Sequence, residues 1–273
     1  MLPILFKLGP VTIYSFGLFL TLGYLAGAFI LWREGKRQGY NEERLLDLSV
    51  ISLIAALVGA RAYFVLLHWY LFTEEPLSAL AFWQGGFAYH GSLVAVLVAG
   101  AYFVRRWKWS FFQIADIGAL SASVALVLGK IGTFLAGLDF GRQTILPWAV
   151  NFPGLVGARH PVQLYEAGSY FIIFIFLYII YHRNLTSTEM KSGKVFFTFL
   201  ISTSLVRVGL EFLKADPAMI FSIPTAVLAS LIIAGFSIIS LYYFQIRVLR
   251  DDIKKILTGF LSLNSRFLRK IGL

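Results

Sequence analysis

The sequence contains no cysteine, which excludes disulfides, thiolate metal sites and a cysteine nucleophile of its own. Charge is scarce too. Charged residues make up 14% of the 273, where soluble domains carry about 25%. Acidic residues are scarcer than basic ones, 14 against 24, leaving a formal net charge of +10. Such an excess can mark a nucleic-acid-binding protein. Here the cations fall in clusters between apolar runs and no nucleic-acid motif is visible, so no nucleic acid is expected as a partner. What the chain has instead is apolar surface: 58% hydrophobic residues and a mean hydropathy of +0.76. That surface needs a bilayer to absorb it, so a multi-span membrane protein is expected. The first apolar run lacks a basic leader and a small-residue cleavage site, so no cleavable signal peptide is expected. No internal repeat or low-complexity tract is visible.

A helical span needs about 20 apolar residues. Seven stretches meet or approach that, at about 13–32, 46–72, 87–104, 114–136, 162–181, 195–213 and 223–246. The expected fold is all-α, a polytopic membrane protein with seven transmembrane helices. Basic residues follow the first, third, fifth and seventh stretches, among them Arg33, Arg37, Arg105, Arg106, Arg183 and Lys194. The bias of Lys and Arg toward cytoplasmic loops then places the N-terminus outside and the C-terminus in the cytoplasm.

The organisation follows from these stretches: a seven-helix membrane domain over 1–246 and a tail over 247–273. The tail mixes Arg and Lys with Ile, Leu and Phe, as an amphipathic helix lying on an anionic leaflet does. Two outer loops, near 73–89 and 137–160, are longer than simple turns. The first contains LSALAFWQGGFAY, too apolar for a solvated loop and too short for a span, which predicts a re-entrant or interfacial segment. The second carries Trp148, Pro147, Pro153, Gly154 and Gly157 and is expected to form a small outer cap.

Ionisable residues inside apolar stretches are costly and mark either a site or a structural pair. Arg61, in Gly59-Ala60-Arg61, fits phosphate contact and a structural ion pair equally. His90, flanked by Gly85-Gly86 and Gly91-Ser92, sits at the start of the third stretch. A capping role competes there with proton transfer, which its intrinsic pKa of about 6.5 suits. Lys130 opens onto four glycines in GKIGTFLAGLDFGRQT over 129–144, where close backbone approach and a cation together suit an anionic head group. Snorkelling toward the interface is the alternative. His160, followed by Pro161 and Gln163, reads first as part of a helix cap. Arg207 and Glu211 stand four apart on one helix face. They are either a mutually neutralising pair or a guanidinium braced for a two-pronged grip on phosphate. If Arg61, Lys130 and Arg207 converge with His90, they would hold an anionic phospholipid beside a proton acceptor.

Six pieces in order carry a resemblance to a known family. They are Tyr14-Ser15-Phe16-Gly17-Leu18, Gly59-Ala60-Arg61, Trp83-Gln84-Gly85-Gly86 through His90-Gly91-Ser92, the stretch 129–144, Arg159-His160-Pro161 to Glu166, and Arg207 through Glu211-Phe212. Over about residues 10–245 the chain resembles the bacterial prolipoprotein diacylglyceryl transferases. The resemblance implies transfer of a diacylglyceryl group from phosphatidylglycerol to the lipobox cysteine thiol of a preprolipoprotein, in the bacterial cytoplasmic (inner) membrane. Its implied partners are phosphatidylglycerol, the lipobox-bearing signal peptide and membrane lipids, with no cofactor and no metal. It implies catalytic roles for His90, Arg207 and Glu211 and substrate-binding roles for Tyr14, Arg61, Lys130, Thr133, Gly141 and His160.

The family's central signature usually reads Gly-Arg-x-Gly-Asn-Phe-x-Asn-Gly-Glu. This chain has Lys130, Thr133, Ala136 and Leu138 at the arginine, the two asparagines and the glutamate. Asp139 comes one position late and, on a continuing helix, would point about 100° away. These exchanges leave two alternatives beside the transferase: a paralogue using another lipid or acceptor, and a non-catalytic lipid-binding or regulatory membrane protein.

Overall fold

The computed structural model describes residues 1–9, 11–187, 191–215, 219–220 and 223–245. The expected tail over 247–273 lies outside the described residues. Seven long α-helices run through the rest: α1 (Ser15–Arg37), α2 (Glu42–Leu67), α3 (Tyr89–Arg106), α4 (Phe111–Ala136), α5 (Val162–Leu185), α6 (Lys194–Glu211) and α7 (Thr225–Gln245). Five are long and apolar enough to cross a membrane: α1, α2, α4, α5 and the Thr225–Tyr243 part of α7. The other two are shorter and charged, α3 by Arg105 and Arg106 in its last turn and α6 by Lys194, Arg207 and Glu211. The protein is thus mostly helical, and the structure adds two elements to the expected all-helical plan. Strands β1 (Ile4–Leu8) and β2 (Val11–Tyr14) form an antiparallel hairpin, and β3 (Met219–Ile220) pairs with β4 (Ile223–Pro224) before α7. The first hairpin docks on α4 through a bond from the Leu2 N–H to the Leu135 carbonyl.

Small residues set the central packing. A Cβ on Gly23 would lie 3.0 Å from the Ala125 carbonyl oxygen, and one on Gly27 3.1 Å from that of Ser121. Without side chains at these positions α1 and α4 pack backbone to backbone and antiparallel, as apolar helices do where no water drives association. The start of α1 therefore meets the end of α4.

The two ends of the bundle differ in chemistry. At one end α1 runs on to Arg37, beyond the expected limit near 32, because fully buried Glu34 is paired by Arg33 at 2.7 Å and Arg37 at 3.2 Å. The apolar core sits in this half, with Leu45, Leu48, Ile117, Leu120, Leu177 and Val195 fully or nearly fully buried. Asp116 of α4 also lies here, accepting from the backbone N–H groups of Gly193 and Phe196 at 2.8 and 2.7 Å. Those are donors that the start of a helix leaves without intrahelical partners, and α6 has no capping side chain of its own. Toward the lipid side the helices expose stripes such as Phe171, Ile172, Ile175 and Ile179 on α5. The polar site occupies the other half.

The 73–89 loop contains two short 3-10 turns, Pro76–Leu80 and Phe82–Gln84, and a third, Trp69–Leu71, precedes it after the end of α2. The loop exposes Leu77, Leu80 and Trp83.

Candidate functional site

The site is built around the end of α4. That helix stops at Ala136 because Gly137 adopts the left-handed conformation, φ 73°. The Leu138 N–H then bonds back to the Thr133 carbonyl at 2.9 Å, closing the last turn. Asp139 follows with φ 62°, itself in the left-handed region. Termination changes where the carboxylate goes. On a continuing helix Asp139 would point away from Lys130; turned back by Gly137, its Oδ2 lies 2.8 Å from Lys130 Nζ.

Lys130 is shared. Its Nζ is also 2.5 Å from Oε2 of Glu166, which stands in the second turn of α5 and is 1% exposed. Lys214, three residues past the end of α6, reaches Glu166 at 3.5 Å, Glu211 at 3.6 Å and Asp139 at 3.9 Å. Arg207 Nε completes the row at 3.9 Å from Glu211. Three cations and three carboxylates from α4, α5, α6 and the adjoining loops thus alternate around one polar centre. An isolated charge in this position would be prohibitively expensive; alternation is what makes six tolerable. Asp139 lies outside the helices. Burial opposes its ionisation, but Lys130, Lys214 and Arg207 together hold its carboxyl below the usual value.

Arg207 differs from the two lysines. Its side chain is 35% exposed, and among the described residues its terminal guanidinium nitrogens have no protein partner. A planar pair of N–H donors is therefore left open beside two ammonium groups. That is donor geometry suited to the oxygens of a phosphate ester.

A cap of crossing loops holds these groups. The Gly141 N–H donates to the His160 carbonyl at 3.1 Å and the His160 N–H to the Arg142 carbonyl at 3.0 Å. Arg142 donates to the Leu213 and Lys214 carbonyls at 2.8 and 3.1 Å, through its backbone N–H and its Nε. The backbone that presents Lys214 is fixed by this contact. Gly141 is a close-approach position, since a Cβ there would sit 2.7 Å from His160.

Lys130, Arg207 and Glu211 do come together. Arg61 does not join them: its buried guanidinium donates to the carbonyls of Ala79 and Ser78 at 2.8 Å each, of Gly86 at 3.3 Å, and of Gly85. It also lies over the rings of Phe64 and Phe72. Arg61 organises the 78–86 loop that leads into α3. His90 falls in the first turn of α3; its side chain lies outside the described residues. Tyr14 ends β2 and precedes α1, 58% exposed. The Thr133 hydroxyl donates to the Lys130 carbonyl at 2.8 Å. His160 Nδ1 is 3.4 Å from the Tyr165 hydroxyl, which accepts from Trp148 Nε1 at 2.7 Å. This segment does start α5, with Pro161 as its N-cap residue, but no side chain caps it, and Gln163 donates to the Leu138 carbonyl.

Three members of the cluster were not read as site residues from the sequence. Glu166 is hidden within a segment that reads as a cap, and Asp139 within the glycine-rich stretch. Lys214 lies seven residues past Arg207 and three past Glu211, a helical spacing that carries the face on after α6 has ended.

Fold and site together define a class: a multi-pass helical membrane protein with a charge-paired polar centre at one end of its bundle. Comparison with known sequences narrows it. The prolipoprotein diacylglyceryl transferase family matches residues 3–243, and the chain belongs to that family. A Geobacter sulfurreducens phosphatidylglycerol–prolipoprotein diacylglyceryl transferase is 36% identical over 227 residues, 80% of this chain and 84% of that protein. The Nostoc protein of the same name is 32% identical over 260 residues, 91% and 92% of the two chains. The Bacillus mycoides one is 30% identical over 251 residues, 88% and 90%.

Proposed function

We propose that this protein transfers the diacylglyceryl group of phosphatidylglycerol to the lipobox cysteine of a preprolipoprotein. The observation that carries this reading to the site is the open guanidinium of Arg207 beside Lys130 and Lys214. In the reaction the cysteine sulfur bonds to the glyceryl carbon that carries the phosphate. The carbon–oxygen bond breaks as the carbon–sulfur bond forms, and glycerol phosphate leaves with the electron pair. The phosphate gains negative charge as that bond breaks, so fixed cations help most in the transition state. Arg207 is assigned to the phosphate oxygens, with Glu211 bracing its Nε, and Lys130 and Lys214 supply the surrounding field. His90, at the start of α3, is assigned to receive the thiol proton. Tyr14, Thr133, Gly141 and His160 border the lipid, and Arg61 acts through the loop that it binds.

All seven helices are read as spans, with the N-terminus outside and the C-terminus in the cytoplasm. An 18-residue helix is about 27 Å long, near the hydrocarbon thickness, and the charges of α6 serve the site rather than the lipid. Arg37, Arg106 and Arg183 all close helices on the side opposite the site, which by the positive-inside rule is the cytoplasmic one. The site then opens at the outer face of the cytoplasmic membrane, where an exported lipobox arrives. Purified full-length protein in phosphatidylglycerol vesicles should release glycerol phosphate when given a lipobox peptide. It should release none with a peptide whose cysteine is replaced by serine. Release that is indifferent to the cysteine would refute the assignment.

A further inference from the structure

The three carboxylates of the cluster are not equivalent. Glu166 and Glu211 have side chains 1% and 7% exposed, on helices packed against the bundle, whereas that of Asp139 is 43% exposed. Asp139 also stands outside any helix or strand, in left-handed backbone at φ 62°. Its Oδ2 lies between two ammonium groups, 2.8 Å from Lys130 Nζ and 3.9 Å from Lys214 Nζ. The Arg207 guanidinium adds to the same positive field. A single anionic oxygen in that position uses the cations that an oxygen of a phosphate ester would need.

We propose that Asp139 is an internal competitor for the lipid phosphate, occupying its position while the site is empty and turning out to solvent when the substrate binds. This rests on the phosphate-site reading given above. Charge supports it. With Asp139 in place, three cations face three carboxylates and the cluster is neutral. With Asp139 displaced, Glu166 and Glu211 leave one net positive charge, matching the single negative charge of a phosphodiester head group. Displacement is inexpensive because the carboxylate is already partly hydrated and the incoming phosphate takes its place on the two lysines, which are 16% and 12% exposed. Displacing Glu166 instead would strand a buried charge. The competitor lowers affinity for any phosphate ester, including the glycerol phosphate that must leave after each turnover, and so favours product release.

The test compares wild type with Asp139→Asn, which keeps the size and the tolerance of left-handed backbone but removes the charge. Full-length protein in detergent is titrated with glycerol phosphate, with binding read from the shift in unfolding temperature. The KM for phosphatidylglycerol is measured in mixed micelles. Asp139→Asn should bind glycerol phosphate about three- to fivefold more tightly, the upper part of the range for removing one partly hydrated carboxylate from an ion pair. Its KM should fall by a similar factor, and both gains should shrink at high salt. Equal or weaker binding by a folded variant would overturn the proposal, as would a variant that cannot fold, because Asp139 would then support the site rather than compete for it. If wild type and variant both fail to bind glycerol phosphate while remaining folded, the phosphate-site reading itself falls. Tighter glycerol phosphate binding with an unchanged KM would overturn displacement by the lipid.

Discussion

Asp116 accepts a 2.8 Å hydrogen bond from the N–H of Gly193, and fourteen residues beyond each of them stand Lys130 and Arg207. At about 1.5 Å per residue both helices rise about 21 Å over that interval. One buried carboxylate at the far end of the bundle therefore levels two cations of the site. Asp116→Ala leaves α6 amides buried without an acceptor and should cost about 1–3 kcal/mol. Asp116→Asn retains one acceptor and should cost less. Unfolding of the two variants in detergent checks the order, and an Asp116→Ala protein as stable as wild type would contradict it.

Lys130 and Glu166 are predicted to be coupled. Glu166→Gln or Lys130→Gln alone leaves a buried charge short of its partner, at a cost of about 3–5 kcal/mol. The double variant removes both charges and should recover much of that loss. A double-mutant cycle on unfolding free energies measures the coupling; additive losses would mean that the pair does not act as one.

The Asp139 carboxyl, held below its usual value by Lys130 and its neighbours, sets a pH dependence with a definite sign. A depressed acid stabilises the folded state above the unfolded pKa, near the ordinary 3.8, and that contribution is lost as the pH falls through the depressed value. For a pair this exposed the contribution is about 0.2–1 kcal/mol. Wild type should exceed Asp139→Asn in stability at pH 6, and the difference should shrink as the pH falls below 3.8 and through the depressed value. A difference that persisted in acid would show that the stabilisation does not depend on the charge.

Arg61→Lys should loosen the 78–86 loop, since one ammonium group cannot satisfy the four carbonyls that the guanidinium fork reaches. Cleavage within that loop by a protease should speed up by about tenfold, as for a loop destabilised by about 1.4 kcal/mol. Transfer activity should fall with it, because the loop leads directly to His90. Unchanged proteolysis would remove Arg61 from this organising role.

Much of the helical plan is legible in the sequence because the length and apolarity of a segment are bulk properties. The seven helices fall within a few residues of the apolar stretches. Helix ends are harder to read, since they turn on local partners. Buried Glu34 extends α1, and left-handed Gly137 ends α4 and reverses the direction of Asp139. The site was half legible. Lys130, Arg207 and Glu211 stand out because each is anomalous in an apolar stretch. Glu166 and Lys214 do not, because the first reads as part of a helix start and the second follows the last turn of α6. Arg61 is the opposite case: one buried cation in an apolar stretch suits phosphate and backbone carbonyls alike, and only its neighbours in space decide.

The mass of a lipobox peptide after incubation with the purified protein and phosphatidylglycerol is the most direct test of the whole account. Wild type should add one diacylglyceryl group to the cysteine sulfur, and Arg207→Gln should slow that addition at least about a hundredfold, the scale of losing one transition-state donor. A folded wild-type protein that leaves the peptide mass unchanged, beside an active family relative, would contradict it.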